Sequence, residues 1–501
     1  RTMHGEYGRH LEATAPSRVF DLAYHFDAAN LHEQALPHSI KAAKLARKSF
    51  SLASAESQLS ISIRAFQFAS ERIRHQVEMM MADVLLLQGE YDGCQVWLDR
   101  SAQSATTKVE RAAAALKQGD LFFKRGNKDQ AAMHYEDSLL QLGHRINHQG
   151  ILMWWNLSKE IFHQALHTMI PSQCGTKGDL SDQADAMVLS LYSRVAHVYW
   201  YTRDKYWTLW AHLRGLNLAE NYHPTAHLAQ CYSEHAPGMT LLRWKSRGLR
   251  YAQKSLQIRQ NLNDIWGQGQ SRNYLSIFLY SFSQFESCVT QARHAVEILE
   301  RTGDYWEVHI GRYQLAAALY RLGQMDEAIK ESKINYESAS RRGDYQATGN
   351  AVDVWARASL GCIPDEVIQV ELARDIHDHQ RHCQVKLAEG IQAFYRNQWD
   401  KSIECFQQAI RKSEDAKVTN TYTSPLYAWL CSAMRAKLQS DPPRTPKALR
   451  TATKNLRRAC LRAIKISNQF TNEAPHALRE YAINCAMSGH YRRAHHYFSK
   501  S

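Results

Sequence analysis

Residues 319–332 read LYRLGQMDEAIKES: a short apolar turn, a glycine, then a helix opening on the acidic pair Asp326 and Glu327. Taken alone, the stretch is one helical hairpin, with Gly323 stopping the first helix in the left-handed conformation that glycine tolerates best. Its meaning depends on whether the spacing recurs. Ala328 lies five residues after Gly323 and twelve after Ala316. The same offsets link Ala82, Gly89 and Cys94; Gly119, Gly126 and Ala131; Gly390, Asn397 and Ser402; and Ala482, Gly489 and Ala494. Ala23, Asn30 and Ala35 open the series, and Ala196/Thr208, Ala236/Gly248 and Ser276/Cys288 continue it.

In each set the two outer positions are small. Antiparallel helices approach closely where small side chains face each other, and a bulky residue from the neighbour fills the space. Tyr135, Phe406, Leu98 and Phe498, each four residues beyond an anchor, are the expected fillers. Thr208, Gly248, Cys288 and Ala328 stand forty residues apart. A period of about 34–45 residues marks helical-hairpin solenoids. The expected fold is all-α: a right-handed α-solenoid of tetratricopeptide-like hairpins, roughly two dozen helices long.

Composition agrees. The chain has 501 residues with only 11 Pro and 23 Gly, which favours long helices over strands and turns. Strand-like alternation is scarce, while 56–81 and 151–170 carry a helical period without anchors. Breaks fall at 171–182 and 439–446. The expected organisation is helices over 1–50, repeats over 51–170 and 183–438, and a basic helix with a last repeat over 445–501. No apolar run is long enough to span a membrane. The first residues lack an apolar signal core and do not begin with Met, so the sequence reads as a cut from a longer chain. Ten cysteines, scattered singly without a CxxC, suit reduced thiols in a cytoplasmic protein.

Chemistry is sparse. The chain has no phosphate-binding G-x-x-x-x-G-K-[ST], no G-x-G-x-x-G opening a helix, no G-x-S-x-G and no kinase signature. No catalytic residue or cofactor site is therefore expected in this segment. The candidate metal ligands are His377, His379, His382 and Cys383, four donors in seven residues whose spacing matches no established zinc framework. His163 and His167 lie one helical turn apart, but Gln164 stands where a metalloprotease would carry glutamate. Aromatics at Tyr199, Trp200, Tyr201, Tyr206, Trp207 and Trp210 fit a helix seam better than a base-stacking platform.

The net charge is +13, and one stretch concentrates it. Residues 445–468 hold Lys447, Arg450, Lys454, Arg457, Arg458, Arg462 and Lys465 with no acidic residue. Thr445 before Pro446 is a helix start. Ala448, Leu449, Ala452, Leu456, Ala459, Ala463 and Ile464 are the expected buried stripe, leaving a basic outer face. Lys454, Arg457, Arg458 and Arg462 are the candidate partner-binding residues, for an acidic protein, an acidic lipid or, less favoured, a nucleic acid, and the plainer reading of the same face is a solvated one.

Several longer stretches go beyond a generic repeat. VFDLAYHFDAANLHEQALPHSIKAAKLA (19–46), YSEHAPGMTLLRWKSRGLRYAQKSL and LERTGDYWEVHIGRYQLAAALYRLG resemble the helical segment of large bacterial signal-transduction ATPases with numerous domains. Such proteins join a serine/threonine kinase, a predicted ATPase and often a sensor histidine kinase. The resemblance implies a nucleotide-binding module, with ATP and magnesium, upstream of residues 1–50. It also implies a non-catalytic scaffold or sensor whose partners are the ATPase and kinase domains of its own chain and a further protein.

Overall fold

The turn inside 319–332 shows how the chain folds. Gly323 has φ +78°, and the amide of Gln324 donates to the carbonyl of Leu319 at 3.0 Å, closing the helix that ends there. The next helix begins at Met325 with Asp326 and Glu327 in its first turn and Arg341 in its last, so both ends complement the helix dipole.

The computed structural model describes residues 1–170, 174–374 and 378–501. Twenty-five α-helices and no strands occur among the described residues. They are α1 (Thr2–Thr14), α2 (Val19–Ala28), α3 (His32–Lys48), α4 (Leu52–Arg64), α5 (Glu71–Gln88), α6 (Tyr91–Ser104), α7 (Lys108–Lys124), α8 (Lys128–Gln141) and α9 (Gly150–Met169). Then follow α10 (Gln183–Thr202), α11 (Lys205–Ala219), α12 (Ala226–Leu241), α13 (Lys245–Asn261), α14 (Ile265–Ser281), α15 (Phe285–Thr302), α16 (Tyr305–Arg321) and α17 (Met325–Arg341). The last are α18 (Tyr345–Ala358), α19 (Asp365–Ala373), α20 (His379–Tyr395), α21 (Trp399–Asp415), α22 (Pro425–Ser440), α23 (Pro446–Ser467), α24 (Ala474–Met487) and α25 (Tyr491–Phe498). The fold is an all-α solenoid of tetratricopeptide-like hairpins.

A finer metronome underlies the forty-residue period. Left-handed residues fall at Arg243, Asn263, Ser283, Gly303, Gly323 and Gly343, with φ between +51° and +78°. They are twenty residues apart, so turns within and between hairpins share one geometry. Four other anchor sets place Asn30, Gly89, Asn397 and Gly489 in the same conformation, and Gly126 does likewise. Thr208 departs from it: Arg203 before α11 is extended, and Asp204 caps the helix by accepting from the amides of Tyr206 and Trp207. Phe50 is left-handed too, turning α3 into α4 where no glycine or asparagine announces it.

Small residues touch large ones at the seams. A Cβ on Gly119 would lie 2.5 Å from the Tyr135 ring, one on Gly390 2.4 Å from Phe406, and one on Gly248 2.4 Å from Phe278. The paired small positions also meet directly. Ser402 Oγ donates to the Gly390 carbonyl at 2.8 Å, and Cys288 Sγ to that of Ser276 at 3.2 Å. Cys94, Ala131, Ala316, Ala328 and Ala494 are buried at the same register.

The sequence 56–81 is two helices rather than one. α4 ends at Arg64, a short 3-10 turn covers Phe66–Phe68, and Ser70 restarts the helix by accepting from the Ile73 amide. The start of α23 also differs from expectation. Ala448 and Leu449 are exposed, and the buried side chains are Leu456, Cys460, Ala463 and Ser467. Thr445 caps the helix at the Ala448 amide as its sequence predicts, but the apolar side chains of the first turn stay exposed.

The helices divide into two compact units. Unit 1 comprises Arg1–Tyr232, Gln257–Gly269 and Glu297–Val308; unit 2 comprises Ser233–Leu256, Gln270–Val296 and His309–Ser501. In unit 1 the later segments close onto the earlier repeats: Trp306 packs on Phe123 and His197, and Lys124 pairs with Asp304 at 3.6 Å. In unit 2 the inner helices are covered by two connections. Tyr422 stacks on Tyr280 with centroids 5.9 Å apart, and Thr471–Glu473 lies over α14 and α16.

Candidate interaction surfaces

Unit 1 contains an open groove of about 920 Å³ lined by α3, α4, α5, α7 and the start of α10. Its apolar wall includes Ala43, Leu59, Met79, Met80, Val84 and Ala113. At its polar end Asp83 accepts from Arg47 Nε at 2.9 Å and Lys117 Nζ at 2.5 Å. Burial alone would raise the Asp83 carboxyl; Lys117 and Arg47 reverse that and hold it well below the usual carboxylate range. Beside them Asp120 accepts from Tyr135 Oη at 2.9 Å and Arg194 Nε at 2.8 Å. The groove offers shape, apolar surface and the spare donors of Arg47 and Lys117. Sequence reasoning missed it because its residues come from separate hairpins. A signal existed: Arg47, Asp83 and Lys117 are separated by 36 and 34 residues, about one repeat each.

A second surface lies on α9. Trp155, Phe162 and Met169 are 72%, 62% and 69% exposed and stand seven residues apart, so they share one helix face. Leu152 and Ala165 lie on the same side and are exposed as well. The aromatics of α10 and α11 pack against neighbouring side chains, with Tyr199 and Trp210 buried and Tyr206 at the surface. Tyr199 Oη donates to Glu136 at 2.6 Å, Trp207 meets Trp210 edge-on at 5.8 Å, and Trp154 packs on Tyr206 at 4.8 Å. The opposite face of α9 fixes it to α11. There Asn217 Nδ2 donates to Glu160 Oε2 at 2.8 Å, and Arg214 pairs with Glu160 at 3.1 Å.

On α23, Lys454, Arg457 and Arg458 are exposed. Arg462 is engaged: its guanidinium pairs with Glu414 and lies over the Tyr427 ring. The basic face available to a partner is therefore narrower than its sequence suggests.

Among the sequence-predicted metal candidates, His377 lies outside the described residues. Asp378 caps α20 by accepting from the Arg381 amide, which places His379, His382 and Cys383 along the first turns of that helix. Cys383 is buried, its thiol donates to the Ala409 carbonyl at 3.3 Å, and burial pushes its pKa up to about 12. His167 pairs with Glu220 at 2.8 Å. Among the described residues no helix is long and apolar enough to cross a membrane.

No protein-family model matches the chain, and no curated protein sequence matches it. Solved structures with similar folds include a Rap protein complexed with competence and sporulation factor, at 12% identity over 93% of this chain and 96% of that one, with a TM-score of 0.37. Aspartyl phosphate phosphatase F from Bacillus subtilis is similar at 12% identity over 79% and 94%, with a TM-score of 0.34. A signal-transduction ATPase with numerous domains and a tetratricopeptide repeat sensor, from Pyrococcus horikoshii, is similar at 10% identity and a TM-score of 0.39. There the match covers 88% of this chain and 55% of that one, so this chain spans about half of its length. At these values nothing about function follows from the likeness.

Proposed function

We propose that this chain is a non-catalytic helical-repeat scaffold that binds a protein helix and relays its binding within a larger bacterial signalling ATPase or kinase. The observation that carries the binding is the α9 stripe. Large apolar side chains repeated every seven residues and left in water form half of a helix–helix seam. A protein helix of matching period is the occupant that would cover it. The signalling setting is supported by the resemblance of 19–46 and the later stretches to segments of such ATPases. In this setting the helices of 1–50 follow a nucleotide-binding module that holds ATP and magnesium, and the whole works in the cytoplasm.

A photo-crosslinking residue at Phe162 in the full-length parent tests the binding, with the same residue at exposed Val96 as control. A discrete adduct with one protein or one domain of the parent is expected from position 162 alone. Equal labelling from both positions sinks the proposal. The setting is tested by ATP binding to this segment: saturable micromolar binding would place the nucleotide site here and refute the assignment of ATP to an upstream module.

A second reading, an acidic or nucleic-acid partner on α23, is favoured only by the exposure of Lys454, Arg457 and Arg458.

A further inference from the structure

The geometry points to a zinc site in unit 1, formed by His167, Cys174 and Glu220. One donor atom from each lies within 4.8 Å of the other two. His167 is in the last turn of α9, Cys174 follows in the connection to α10, and Glu220 caps the C-terminus of α11. Imidazole, thiolate and carboxylate together are a borderline-soft donor set that suits Zn²⁺.

Three observations make this more than a chance cluster. First, the segments that bear the ligands are laid side by side by main-chain bonds. Gly175 N donates to Glu220 O at 2.8 Å, Lys177 N to Asn221 O at 2.8 Å, and His223 N to Gly178 O at 2.9 Å. Second, Glu220 is buried, and among the described residues no lysine or arginine pairs with it. Its carboxylate receives His167 Nδ1 at 2.8 Å, Gln164 Nε2 at 2.9 Å and Tyr232 Oη at 3.1 Å. A divalent ion would supply the charge these donors lack. Third, Gln164 is 5% exposed, and its Oε1 is buried with no hydrogen-bond partner among the described residues, although its Nε2 sits on the same carboxylate. An unpartnered oxygen thus sits on the side chain that already binds one of the three ligands.

Tetrahedral zinc brings its ligand atoms to roughly 3.5 Å from one another. His167 and Glu220 are already closer than that, so the closure falls on Cys174, which sits in a connection rather than on a helix. On binding, the Cys174 thiol gives its proton to solvent and ligates as thiolate, beside an imidazole nitrogen of His167 and a carboxylate oxygen of Glu220. The ion then staples the end of α9 to the end of α11. It would set the position of the helix that carries Trp155, Phe162 and Met169.

Cobalt(II) titration of the full chain, purified metal-free and without an affinity tag, tests the assignment. One ion per chain with a thiolate-to-cobalt charge-transfer band is expected. The band should vanish in Cys174→Ser, and affinity should fall at least about tenfold in His167→Ala and Glu220→Gln. A His382→Ala/Cys383→Ser variant should bind as the wild type does. Metal-free melting curves of each variant separate loss of the ion from loss of fold. Absence of the band in the wild type overturns the proposal, and so does a band that survives Cys174→Ser.

Discussion

Arg321 and Glu473, 152 residues apart in the chain, form an ion pair in the interior of unit 2. Burial opposes the charge on Arg321, yet the Glu473 carboxylate and the Tyr280 and Tyr320 rings hold it firmly protonated. The same guanidinium donates to the Asn472 carbonyl at 3.0 Å. Asn472 Nδ2 in turn donates to the Tyr280 carbonyl at 3.0 Å, and its Oδ1 accepts from Ser283 Oγ at 2.7 Å. The turn at 471–473 is thus welded to the ends of α14 and α16. Removing one partner leaves a buried charge uncompensated, so Glu473→Ala is expected to cost about 3–5 kcal/mol, whereas Arg321→Met with Glu473→Leu should cost far less. Urea unfolding followed by circular dichroism measures both; equal losses would show that the pair is not the source.

Seam contacts give a second prediction. Gly119→Ala and Gly390→Ala each drive a methyl into an aromatic ring and should cost about 1–3 kcal/mol. Gly150→Ala, where a Cβ meets nothing within 4 Å, should be neutral or slightly stabilising. Ala328→Trp, at a fully buried seam position, should damage the neighbouring hairpins most. Hydrogen exchange on the three glycine variants and this one would show whether the damage is local.

Acid sensitivity follows from His476. Burial, with Arg479, Arg321, Arg435 and Arg357 nearby, pushes its pKa down to about 3, and its Nε2 pairs with Ser432 Oγ at 2.8 Å. The unfolded chain takes up this proton near pH 6.5 while the folded protein refuses it. Stability is therefore full above about pH 6.5 and falls as the pH drops toward 3. His476→Gln should recover about 1–2 kcal/mol of the loss between pH 7.5 and 5. Asp83 adds a lower window, since its depressed carboxyl contributes above about pH 4 and loses that contribution as the pH falls further. Denaturation midpoints across this range distinguish the two windows.

For α23, Arg457→Glu with Arg458→Glu should leave the melting temperature nearly unchanged, because both side chains are exposed. If an acidic polymer binds there, the double variant should weaken it and flatten its salt dependence. Titration with heparin or duplex DNA at two salt concentrations reads this; an unaltered slope removes α23 from consideration.

The hairpins were legible because close packing leaves its mark on two residues at a fixed distance, as Gly390 and Ser402 show by touching directly. Turns written by Phe50 or Arg243 were not, since neither residue type favours the left-handed conformation it adopts there. The same limit applies to sites. His167 was visible as half of a histidine pair, but Glu220, which it meets, lies 53 residues on and is brought there by the α9–α11 packing. The expected stripe of α23 failed at Ala448 and Leu449 for a related reason: periodicity marks the side of a helix that could be covered, and neighbours decide how much of it is.

The left-handed residues from Arg243 to Gly343, one every twenty, bear on how such a chain can change its length. Each helix-plus-turn reverses direction, so adding or deleting twenty residues would exchange the inner and outer roles of everything downstream. Forty residues would restore them. Viable length variants among descendants of this sequence should therefore differ in whole hairpins, a counting rule imposed by one backbone angle per turn.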